Sequence, residues 1–164
     1  MNMERLDKKI RDKYTLSKEK ILEYVKVINK FYDMSRMDFL IEYIYEKYQY
    51  RTVFAAHGDM QFKNFIYNNE LHLIDWGVRI SPFFSDLYTL MAQASRVGAD
   101  TNEIKKRYCE SSQIGSISDE DIFIGGIIGC IQAVFVLLVF DCPIEWTDNS
   151  YNELQYLIQK LDFR

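Results

Sequence analysis

Residues 122–140, IFIGGIIGCIQAVFVLLVF, form a run of 19 residues in which Gln132 is the only strongly polar side chain. A run of this length and hydropathy must leave water, and that requirement limits the fold more than any other feature of the chain. A lipid bilayer would satisfy it, since about 17–25 apolar residues cross the hydrocarbon core. So would the centre of a helical domain. The flanks favour the domain. Asp119, Glu120 and Asp121 precede the run, Asp141 and Glu145 follow it, and no Lys or Arg stands near either end to orient a spanning segment. Gly125, Gly126 and Gly129 crowd its first half, as close helix packing requires. The expectation is a buried core helix and no membrane partner.

A core helix needs helices around it, and the pattern supplies them. With 164 residues, 48% apolar and 27% charged, the chain has the size and composition of one globular domain. Ser17 reads as an N-cap with Leu16 and Ile21 as its hydrophobic staple, and Ile21, Val25, Ile28 and Tyr32 then recur at helical spacing. Met37, Leu40, Ile41, Ile44 and Tyr48 form a second amphipathic series, joined to the first near Met34 and Ser35. A third helix follows Ser81-Pro82 through Leu87, Leu90, Met91 and Ala94. Ser118 repeats the cap at the head of the apolar run, flanked by Ile117 and Ile122 and with Asp121 at N3. Tyr151, Leu154, Ile158 and Leu161 predict a closing helix. Between the second and third helices the pattern changes. Thr52–Ala56 is strand-like, and Phe65–Tyr67 and Leu71–Ile74 predict a β-hairpin about the turn Asn68-Asn69-Glu70. The fold class is α+β, mainly helical.

Composition removes several functions. A net charge of -4 argues against a nucleic-acid partner. Two histidines, His57 and His72, cannot supply an HExxH zinc site, and no GxSxG marks a serine hydrolase. Cys109, Cys130 and Cys142 are odd in number and contain no CxxC pair, and the charged N-terminus leads into no hydrophobic segment. A reducing, cytoplasmic setting follows, with Cys130 as a small buried hydrophobe.

Asp59, Asn64 and Asp75 stand at a more telling spacing. Asp59 ends the strand-like run, Asn64 follows five residues later, and Asp75 closes the far arm of the hairpin. A hairpin joins its arms, so Asn64 and Asp75 are expected to face a common point. Phosphoryl transfer uses such a group: a carboxylate to take or orient the attacking hydroxyl, and one or two protein oxygens on Mg²⁺. Taken singly, each residue has a plainer reading as a turn or cap, and Lys63 and His72 read as solvated hairpin side chains.

The order HGDMQFKN, hairpin, IDWG, SPFFSDL, within residues 53–90, resembles the family of aminoglycoside phosphotransferases and choline kinases. That resemblance implies a protein-kinase-like fold, with the helices here fitting its large, C-terminal lobe and the hairpin bearing the catalytic and metal residues. It implies transfer of a γ-phosphoryl group from ATP or GTP to a hydroxyl of a small acceptor, such as a cationic aminoglycoside or a choline-like compound. Asp59 would be the catalytic base, Asn64 and Asp75 the Mg²⁺ ligands, and Trp76 would pack beside the metal carboxylate. His57 would order the loop from behind, Asp86 would brace it by hydrogen bonds, and Lys63 would reach a phosphate. Asp119, Glu120, Asp121, Asp141, Glu145 and Asp148 read as solvated caps and loops, or else as attraction for a cationic acceptor.

One part of that family is missing from the pattern. The 56 residues before His57 read as two helices and contain no Gly, so no glycine loop covers a nucleotide phosphate and no strand Lys pairs with a helix Glu. Residues 1–164 are therefore expected to be a single domain, the large lobe alone. Its nucleotide-clamping lobe would come from an upstream stretch, another chain or a second copy, or would have been lost. The alternative is a catalytically inactive kinase-like module that binds a small molecule or a protein.

Overall fold

The Ser17 hydroxyl accepts the Lys20 N–H at 3.3 Å and starts helix α1 (Lys18–Ile28) where the cap pattern places it. The structure is a computed structural model that describes residues 14–161, apart from 49–53, 76 and 113. Helix α1 buries Ile21, Val25 and Ile28, and α2 (Met37–Tyr48) buries Met37, Leu40, Ile41, Ile44 and Tyr48. Tyr32 lies beyond the end of α1, where Asn29 closes the helix, and its ring stacks on Tyr151 instead.

After α2 the chain enters strand β1 (Phe54–Ala56), then a 3-10 turn (Phe62–Asn64), strands β2 (Phe65–Asn68) and β3 (Glu70–Leu73), and strand β4 (Arg79–Ser81). β2 and β3 form the expected antiparallel hairpin, with Asn69 alone at the tip in the left-handed region, φ 59°. The second pairing is new. β1 pairs antiparallel with β4, from Phe54 with Ser81 to Ala56 with Arg79, and Thr15 bridges Ile80 alongside. Helices α3 (Ser85–Arg96), α4 (Thr101–Ser112), α5 (Asp119–Val139) and α6 (Ile144–Lys160) complete the described chain. Neither α4 nor the first two turns of α6 is marked by the apolar spacing of the sequence; α4 buries no residue.

Helix α5 is the centre. Ser118 and Asp121 form a reciprocal capping box, each side chain bonded to the other's N–H at 3.1 Å. Ile124, Ile127, Ile128, Ile131 and Val134 are fully buried, packed with α1, α2, α6 and Phe83. A smaller cluster of Phe84, Leu87, Ile117 and Ile122 joins α3 and α4. α5 is the one described helix long and apolar enough to cross a membrane, and 56% of its most apolar stretch lies inside the protein. Its glycines set the packing distance. A Cβ on Gly125 would lie 2.6 Å from the Phe84 main chain, and one on Gly126 2.8 Å from the Tyr88 ring. Cys130 is buried, and burial pushes its thiol up to about 12.

Candidate active site

The loop from His57 to Asn64 leaves β1 and is fastened by helix α3. Asp86, 9% exposed, accepts the His57 N–H at 2.6 Å and the Gly58 N–H at 3.1 Å. Gln93 lies two helical turns further along the same face. Its side chain donates to the Met60 carbonyl at 2.9 Å and accepts the Phe62 N–H at 2.8 Å. Two side chains of one helix thus satisfy four main-chain groups of a short, irregular loop.

Within the loop, Asp59 is half-buried and each carboxylate oxygen accepts a side-chain amide: Oδ1 from Gln61 at 2.7 Å, Oδ2 from Asn64 at 3.0 Å. Asn64, 2% exposed, also donates to the Asp59 carbonyl at 2.8 Å. The same Nδ2 makes both bonds, which leaves the Oδ1 acceptor for another partner. His57, 2% exposed, accepts the Asp59 N–H on Nδ1 at 3.2 Å, and its Nε2 meets the Ile74 carbonyl at 2.9 Å. A proton on Nε2 satisfies both contacts. Ile74 also donates its N–H to the Asn64 carbonyl at 2.9 Å, so the main chain just ahead of Asp75 is tied to the loop at both its polar groups.

Asp75 is exposed, at φ 56°. Left-handed backbone at a non-glycine residue is uncommon and concentrates at functional sites. Its carboxylate has no described hydrogen bond. Lys63 is exposed and lines the same cleft as Asp59, His72 is exposed on the hairpin, and Trp76 falls outside the described residues. Among the described residues no group of three His, Cys, Asp or Glu side chains stands close enough to hold a metal. The expected pair of Asn64 and Asp75 is of a different kind. Their free amide oxygen and free carboxylate suit Mg²⁺, which takes few protein ligands and completes its shell with substrate oxygens and water.

Asp59 opens onto a cleft of about 490 Å³ floored by the loop, β4, α3 and α5. Its most consequential lining residue carries no motif. Arg79, from β4, crosses the loop at Gly58: a Cβ there would sit 3.2 Å from the Arg79 side chain, and Gly58 itself has φ +85°. The guanidinium donates to Gln132 at 2.5 Å. Burial lowers its pKa below the ordinary value, while Asp86, Tyr24 and Asp59 act in the opposite direction. The only strongly polar side chain of the apolar run is thus the partner of a cation in the cleft. That polar exception was the available signal; its partner was not visible.

Four of the six acidic residues make structural contacts. Asp119 pairs with Lys105, Glu120 with Lys47, Asp121 caps α5 and accepts from Tyr48, and Asp148 accepts from Tyr32. None of the six lines the cleft. The carboxylate beside its far end is Glu153, which accepts from the Tyr88 hydroxyl. Comparison with protein-family models, curated proteins and solved structures finds no match to this chain.

Proposed function

We propose that this chain is the large lobe of a kinase-type phosphotransferase acting on a hydroxyl of a small acceptor, with ATP or GTP as donor. One observation carries the reading: Asp59 is held at the floor of a 490 Å³ cleft by Gln61 and Asn64, on a loop pinned by Asp86 and Gln93. The acceptor hydroxyl enters beside Asp59 and gives up its proton to that carboxylate as its oxygen attacks the γ-phosphorus. The bond from the γ-phosphorus to the bridging oxygen breaks, and the nucleoside diphosphate leaves. Asn64 and Asp75 would hold Mg²⁺, which when bound supplies neutralising charge to the phosphates. His57 and Asp86 act as positioning residues through the loop backbone. A cytoplasmic location suits such a donor.

Transfer of labelled phosphate from ATP with Mg²⁺ to an aminoglycoside or to choline tests the reading. Asp59→Ala is expected to lower the rate by about 10²–10⁴, the usual effect of losing a positioned base. Equal turnover by the variant and the wild type would remove Asp59 from the chemistry. The second reading, an inactive kinase-like binding module, has one observation in its favour. The described residues ahead of β1 form helices α1 and α2 and no phosphate-covering sheet.

A further inference from the structure

Beside the main cleft lies a smaller cavity of about 230 Å³, and the two share Arg79 and Gln132 in their walls. Lys20 of α1 and Arg79 of β4 both line it, together with Tyr14 and Tyr24, and no carboxylate is among its described lining residues. Lys20 is half-buried and its ammonium has no described hydrogen bond or ion pair. Arg79 spends one N–H on the neutral amide of Gln132 and forms no described ion pair, so most of its donors remain. Asp86 and Asp59 act on Arg79 through space without a described ion pair, and partly buried cations are costly unless paired. Two of them on one cavity with no carboxylate among its described lining residues suit a bound anion.

We propose that Lys20 and Arg79 bind a phosphate group, free or carried on a small molecule, in this cavity. Two cations match a phosphate, which carries about -1.5 to -2 at neutral pH, better than a carboxylate. The guanidinium fork suits its oxygens. The cavity, at about 230 Å³, has room for the anion. Any organic remainder has the adjoining cleft. Binding there requires neither metal nor nucleotide, so it is measured apart from phosphoryl transfer.

Calorimetric titration of the full chain with inorganic phosphate and with glycerol 3-phosphate, at constant ionic strength and without Mg²⁺, tests it. Saturable binding is expected, weakened about tenfold or more in Lys20→Gln and in Arg79→Lys. Arg79→Lys keeps the charge and the stem over Gly58 and removes the fork, and urea unfolding checks that both variants remain folded. Inorganic phosphate binding at least as well as the ester identifies the free ion as the ligand; tighter binding of the ester identifies a phosphorylated molecule. Heats no greater than those of chloride, or equal affinities in wild type and both folded variants, would overturn the proposal, whatever the fate of Asp59 in the transfer assay.

Discussion

Asp86 accepts the N–H groups of His57 and Gly58 in a site almost closed to water. Removing its side chain leaves two main-chain donors without their partner, and an unmet buried donor costs about 1–3 kcal/mol. Asp86→Ala is expected to lower unfolding free energy in urea by about 2–4 kcal/mol, and Asp86→Asn, which keeps an acceptor, by less. Amide hydrogen exchange at His57 and Gly58 should quicken in Asp86→Ala while the amides of α5 hold their protection relative to global unfolding. Unchanged exchange at those two positions would show that Asp86 does not fasten the loop. Arg79 shows a different dependence. Its place over the loop needs Gly58 to lack a Cβ, and its orientation depends on Gln132, 53 positions further along the chain.

Gly125 and Gly129 lie one turn apart on α5, and the same substitution should have opposite signs at the two. In an open helix Gly→Ala gains about 1 kcal/mol from backbone entropy. At Gly129 the nearest atom to a new methyl would be the Ser85 Cβ at 3.5 Å, an ordinary contact, so the gain should survive. At Gly125 the methyl would lie 2.6 Å from main-chain carbon of Phe84, which cannot rotate away. Overpacking of this kind costs about 1–3 kcal/mol, so Gly125→Ala should destabilise. Urea midpoints of the two variants check the pair; stabilisation by both would mean that α3 and α5 stand further apart than described. The caps of α1 and α5 were legible in the sequence because a cap is local, set by Ser17 or Ser118 and the next few residues. Helix α4 was not, because a helix that buries nothing has no apolar period. Strand β4 was not, because three residues give no pattern and its partner lies 25 positions earlier. For the site, the order of Asp59, Asn64 and Asp75 was readable, whereas Gln93, Arg79 and Gln132 matter only through contacts made across the fold.

At the scale of the molecule, α5 decides how the protein behaves in water. Its buried isoleucines face α1, α2 and α6, and the glycines admit α3. Expressed without detergent, the chain is expected to stay in the supernatant after high-speed centrifugation and to unfold cooperatively in urea. Recovery only with the membrane fraction would contradict the core placement of α5. Around that core the chain is divided in an uneven way. Among the described residues, no member of either apolar cluster lies between His57 and Arg79. The pairing of Phe54 with Ser81 brings the two ends of this excursion together, so the chain leaves the helical body and re-enters it at one neck. The residues that would do chemistry are therefore a different set from those that hold the scaffold. Selection can exchange or silence the contents of the loop while the helices keep their sequence. A library randomised beyond the neck would search new activities on an unaltered frame.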